Sequence, residues 1–176
     1  SVLPGSSSYV PQVLAHFKEV IAHSSEWEPT EKLLQLIYDY LNANCSQIGV
    51  DTFKTFPPWI WLTSKRIFVS SSVVAMKPNP SFQQDLSPYL YTLNDRLGTQ
   101  YQSLFMRFGV SPEVVSRQIA SVLGMMSERG TSMMAADRAW QMVMSVLNWL
   151  TNNGEKPIKE FDDVQLYVPV ESTEEH

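Results

Sequence analysis

A chain of 176 residues, 44% apolar and 11% aromatic with five tryptophans, can bury a full core as one domain. Its formal charge of −5 and pI near 5.1 exclude nucleic acid as a first-choice partner, because phosphate-backbone binding needs a basic surface. No run of about 18 apolar residues predicts a membrane span, and Ser1 to Ser8 lacks the basic flank and apolar core of a signal peptide. The lone Cys45 rules out an intrachain disulfide and fits a reducing, intracellular setting.

In chain order, Pro11 suits a first helical position, and Val13, Leu14, Phe17, Val20 and Ile21 follow one helix face. His23 to Ser25 ends that helix. Pro29 and Glu31 open a second helix, whose predicted face is Leu33, Leu36, Ile37, Tyr40 and Leu41, closing between Asn42 and Gly49. So short a link predicts an antiparallel helical pair over residues 1–50. Pro57 and Pro58 then stop the chain and hold it extended. Trp59-Ile60-Trp61 and Ile67-Phe68-Val69 read as two strands around a polar turn, a hairpin that needs a helical layer over its aromatic face.

Lys77-Pro78-Asn79-Pro80 is a break. Ser87 and Pro88 read as the cap and first position of a short helical turn leading to Tyr89. Leu97, Tyr101, Leu104, Phe105 and Phe108 repeat at helical spacing up to Gly109. Ser111-Pro112-Glu113 carries every signal of a helix start, and the predicted face behind it is Val115, Ile119, Val122, Leu123 and Met126. A last helix from Thr131 is predicted to bury Met133, Ala136, Trp140, Val143, Leu147 and Leu150, ending at Asn152-Asn153-Gly154. Val164 to Val170 alternates as a strand with Pro169 at its edge, and the hairpin is its nearest partner. The expected fold is α+β: mainly α, a helical layer packed on a β-hairpin plus one C-terminal strand in a small antiparallel sheet. Residues 1–176 form a single module, with the hairpin, later helices and last strand in 51–176.

No catalytic constellation appears in the sequence. None of the seven glycines sits in a phosphate-cradling spacing, so no nucleotide cofactor is expected. His16 and His23, two helical turns apart, could share a face with Glu19 as a metal site, but two exposed or capping histidines are far commoner, and no metal is expected. Cys45 in Asn44-Cys45-Ser46 reads as an inert thiol, and Asp162-Asp163 and Glu174-Glu175 as charged surface. No catalytic residue is assigned, and the chain is expected not to be an enzyme.

Six of the eight methionines fall between Met125 and Met144. Met126 and Met133 lie on predicted core faces, whereas Met125, Met134, Met142 and Met144 lie off them. Those four fill the core or form an adaptable docking patch, and both readings stand on the sequence. Trp59, Trp61, Phe68, Tyr89 and Trp140 are the expected structural anchors. A buried aromatic removes about 150–250 Å² from water, which contributes roughly 4–6 kcal/mol per Trp before entropy is subtracted.

Three stretches together resemble one family: Pro58-Trp59-Ile60-Trp61 with Phe68-Val69 and Val73-Val74; Leu86-Ser87-Pro88-Tyr89-Leu90-Tyr91 with Leu97, Tyr101, Leu104-Phe105 and Phe108-Gly109-Val110; and Leu166-Tyr167-Val168-Pro169. In that order they are similar to the internal repeats of the sacsin family of giant, modular, co-chaperone-like neuronal proteins, over roughly Thr52 to Val170. The resemblance implies a non-enzymatic scaffold in the cytoplasm that spaces neighbouring ATPase modules. It implies work in protein quality control and intermediate-filament organisation, with flanking modules, chaperones and client proteins as partners. One departure is the turn Leu62-Thr63-Ser64, which lacks the glycine of related repeats. The glycines of a GHKL ATPase, the His-Pro-Asp of a J-domain and the Arg-to-His spacing of a HEPN nuclease do not occur, so those activities do not carry over. Two other readings remain: an independent peptide-binding adaptor using the Met-rich surface, and an enzyme with a site assembled from scattered groups.

Overall fold

The computed structural model describes residues 9–78, 86–129 and 136–153. The fold is α+β, mainly helical with a small antiparallel hairpin sheet. The chain divides into two compact units: Ser1–Met76 with Leu93–Pro112, and Lys77–Thr92 with Glu113–His176.

The first unit opens with α1 (Val10–Ala22) and α2 (Glu31–Ala43). Pro11 sits at the start of α1, as its fixed φ favours, and Thr30 caps α2 by accepting the Leu33 N–H. Val10, Phe17 and Val20 are the buried face of α1. On α2 the buried face is Leu34, Ile37, Tyr38 and Leu41, rotated from the predicted one: Leu36 is exposed, and Leu33 and Tyr40 are half-buried. The rotation follows from Tyr38, whose ring and hydroxyl both find partners inward.

The hairpin forms as expected. Strand β1 (Ile60–Leu62) pairs antiparallel with β2 (Ile67–Val69) in the register Ile60↔Val69, Trp61↔Phe68, Leu62↔Ile67. Its turn solves the missing glycine with Arg66, which takes φ 54° and donates its N–H to the Leu62 carbonyl at 2.8 Å. All three β1 residues are buried, so this strand is covered on both faces, not the single face the alternation implied. The Tyr38 hydroxyl closes the strand's other edge. It donates to the Trp59 carbonyl at 2.8 Å and accepts the Trp61 N–H at 3.1 Å, pairing two backbone groups that burial would otherwise orphan.

Around this bolt the rings interlock. Trp59 stacks on Phe53 with centroids 4.1 Å apart and meets Tyr38, Phe105 and Phe108 at steeper angles. Phe17 meets Tyr38 and Phe68 edge-on, and Phe68 meets Trp61 across the strands at 4.9 Å. The Trp59 indole N–H has no acceptor among the described residues, so ring packing alone holds it. Trp59 and Trp61 are therefore anchors, with Phe68 half-buried beside them.

The predicted helix through Leu97 and Phe108 is two short ones, α3 (Arg96–Gln100) and α4 (Gln102–Arg107), broken at Tyr101. Its apolar positions are all buried as read. The chain leaves α4 at Gly109 with φ +105°, a conformation that side chains other than glycine rarely adopt. Strand β3 (Val74–Lys77) then neighbours β5 (Ser111–Glu113). That corrects the expected helix start: Ser111-Pro112-Glu113 is strand.

In the second unit, β4 is Tyr91–Thr92, and Ser87 to Tyr89 form a turn with a cis Ser87–Pro88 peptide where a helical turn was expected. Tyr89 is buried, as an anchor should be. Helix α5 (Ser116–Arg129) starts four residues after Pro112, the first helical position read from the sequence. Its first turn is stabilised by Gln118, whose Oε1 accepts the Val115 N–H at 3.2 Å, half of a capping box. Ile119, Val122, Leu123 and Met126 are buried, while Val115 is exposed ahead of the helix. Helix α6 is described over Ala136–Asn153. The predicted strand Val164 to Val170 lies outside the described residues.

Candidate functional site

The groups that could have carried chemistry are dispersed. His23 Nδ1 lies 2.9 Å from the Glu19 carbonyl oxygen and 3.9 Å from Glu19 Oε2, a local helix-end contact. Among the described residues no group of three or more His, Cys, Asp or Glu side chains could hold a metal ion. Cys45 is half-buried in a short 3₁₀ turn. The paired carboxylates at 162–163 and 174–175 lie outside the described residues. No helix among those described is long and apolar enough to cross a membrane.

Two tyrosines have shifted acidities. Burial, chiefly, pushes the Tyr38 hydroxyl well above the usual phenol range. Tyr101 is raised by desolvation and then by Asp39, whose Oδ1 accepts its proton at 2.7 Å at the rim of the core. Both shifts keep the phenols neutral. They lock structure and offer no acid or base near neutral pH.

What remains is surface, and α6 carries the most unusual piece of it. At about 100° per residue, Met142, Val143, Val146 and Trp149 fall on one side and are buried. Trp140, Met144 and Leu147 fall on the other, and they are 48%, 39% and 37% exposed. Arg138 fits the same phase. Its Nη2 donates to the carbonyl and hydroxyl oxygens of buried Ser87, at 2.6 and 3.1 Å. Positions i+4 and i+11 from Arg138 are Met142 and Trp149, so the three share one side of the helix.

This corrects three expectations. Trp140 is no core anchor, Leu147 is exposed where burial was expected, and Met142, read as a candidate surface residue, is fully buried. Of the other candidate methionines, Met144 is exposed, Met125 is half-buried and Met134 lies outside the described residues. Trp140 and Leu147 are the surface residues that sequence reasoning missed. A signal did exist: from Ala139 to Asn153 the sequence has no charged residue, where a solvated helix face ordinarily carries several.

The flanks of the exposed stripe are already quiet. The Ser145 hydroxyl donates to the Gln141 carbonyl and the Thr151 hydroxyl to the Leu147 carbonyl, each at 2.9 Å. Covering this face would strand neither hydroxyl. In the first unit, α2 has a lesser version of the same feature in Leu36, which is 60% exposed between half-buried Leu33 and Tyr40. Each arrangement can hold another apolar surface and supplies no reacting group. Compared with family models, curated proteins and solved structures, the chain matches none.

Proposed function

We propose that this chain is a non-enzymatic protein-interaction module, a spacer that holds other protein parts through the outer faces of its helices. The observation that carries this reading is the exposed, uncharged stripe of Trp140, Met144 and Leu147 on a helix whose opposite side is already in the core. Large apolar side chains gathered at i, i+4 and i+7 on a free face mark contact surfaces more than solvated ones. Burial of Met142 moves the centre of that surface from methionine to tryptophan, away from a methionine-lined groove.

The finer assignment rests on the sequence resemblance. On it, the module belongs to a sacsin-like co-chaperone, sits in the cytoplasm, and spaces ATPase modules in protein quality control and intermediate-filament organisation. Its partners are then flanking modules, chaperones or clients. The test is capture from neuronal cytosol by the chain alone and by the chain with its flanking segments, each with and without Trp140→Lys. Specific capture of chaperone or filament proteins that Trp140→Lys removes supports the reading. Identical capture by both forms overturns the role of this face.

A further inference from the structure

We propose that the outer edge of β2 takes an extended peptide segment, acidic toward its C-terminal end, as an added antiparallel strand. The inference goes beyond the helix-face reading and does not depend on it. It begins from the hairpin ladder. The Trp61 N–H is donated to the Tyr38 hydroxyl, away from β2. Trp61↔Phe68 is therefore the pair that exchanges no backbone hydrogen bonds, and Phe68 turns its N–H and C=O to the outer edge. Among the described residues neither group has a hydrogen-bond partner. Ser70 follows with φ −78° and ψ 152°, still extended, so its N–H faces the same way. Tyr38 closes one edge of the hairpin, and the other is open.

Charge names the occupant. The whole chain carries −5, yet between Asp51 and Lys77 it has three cations, Lys54, Lys65 and Arg66, and no acid. Lys54 is matched by Asp51 at 2.6 Å. Lys65 and Arg66 stand together at the turn end of β2, and Arg66 Nε reaches Glu28 Oε1 only at 3.6 Å, a long contact between exposed groups. A strand antiparallel to β2 brings its C-terminal end to these two cations, so acid residues belong at that end. A basic segment meets like charge there and is rejected. Phe68 also offers a donor and an acceptor at strand spacing. A peptide backbone matches both, whereas a phosphate, with acceptors alone, does not.

Side chains add to the grip. By alternation Phe68 shares the face of Trp61, and Ile67 lies on the opposite one. Ile67 is 39% exposed, which leaves apolar area for a side chain of the added strand. Trp27, 52% exposed, precedes the Glu28 that Arg66 reaches, so an indole stands by the same end of the hairpin. Strand β2 has three residues, so few backbone hydrogen bonds form. The contact is weak, reversible and loosened by salt.

Fluorescence anisotropy with the whole chain tests the idea, using a short labelled peptide of alternating valine and threonine with two glutamates at its C-terminus. Saturable binding that falls as salt rises is expected. Moving the glutamates to the N-terminus, or replacing them by lysines, should weaken it about fivefold or more. Ser70→Pro keeps a φ that proline accepts and removes the edge N–H, so it should fold, by circular dichroism, and lose the peptide. Lys65→Glu, at an exposed position, should weaken binding while leaving the strand backbone intact. Hydrogen exchange followed by NMR reads the edge directly: the Phe68 amide should exchange fast in the free chain and slow when the peptide is added. A Phe68 amide already protected in the free chain, by its own fold or by a second copy, overturns the open edge. No binding, or binding that a folded Ser70→Pro chain retains, overturns the edge as the site. Equal binding of all three peptides, or no effect of Lys65→Glu, overturns the acidic partner.

Discussion

Trp59 and Trp140 are the same residue at two ends of one design choice. Trp59 is 1% exposed inside a ring cluster fed by α1, α2, α4 and the hairpin. Trp140 is nearly half exposed on a helix that has already spent its inner face on Met142, Val146 and Trp149. Hydrophobicity alone does not distinguish the ring that went inward from the ring that stayed out. The strand near Trp59 is clamped by a hydrogen-bonded tyrosine, and the helix bearing Trp140 is tied down by an arginine. In both places a side chain-to-backbone hydrogen bond and the buried apolar face share one rotation of the helix, so each supports the other.

The comparison can be broken first at its buried end. Trp59→Ala removes a ring packed on four aromatic neighbours and is expected to destabilise the chain by about 3–5 kcal/mol in urea unfolding; Trp61→Ala should fall in the same range. An unchanged midpoint in either would remove the ring cluster as the organising centre. Tyr38→Phe is the next largest. It keeps the ring but leaves the Trp59 carbonyl and the Trp61 N–H without the hydroxyl between them, at a cost of about 2–4 kcal/mol. Near-neutrality would mean that the strand edge is held by other groups.

Alkaline titration sharpens the same point without mutation. In the folded chain the Tyr38 phenol is raised above its ordinary value by burial, while in the unfolded chain it ionises near pH 10. Above that pH the unfolded state binds fewer protons, so stability falls as pH rises. The Tyr38 contribution is about 1.4 kcal/mol per pH unit until the folded-state phenol itself ionises. Tyr38→Phe should flatten that slope, and a slope identical in both proteins would locate the loss elsewhere. The smallest effect belongs to the exposed tryptophan: Trp140→Lys is expected to move stability by no more than about 0.5 kcal/mol. A loss comparable to Trp59→Ala would place Trp140 in a core and end its role as surface.

Local chemistry was legible where it was self-contained. Pro11 at the start of α1, Pro29 and Glu31 at the opening of α2, the two strands after Pro57 and Pro58, and the stop at Gly109 all follow from residues close in sequence. Misreadings came where sequence allowed two answers. Ser111-Pro112-Glu113 has a helix-start signature, yet it neighbours β3, and Gln118 supplies the capping contact farther along. Helices α2 and α6 have apolar residues around much of their circumference, so periodicity gives a helix without giving its phase.

The sequence by itself determined that the chain is a mainly helical α+β protein built on an aromatic hairpin, because proline stops, caps and alternation act over a few residues. Only the tertiary structure decided which way α2 and α6 turn. That rotation goes with Tyr38 reaching a strand 21 residues away and Arg138 reaching Ser87 51 residues away. Contacts over such separations leave no trace in a local pattern, and the free faces they create are where this protein's function is proposed to lie.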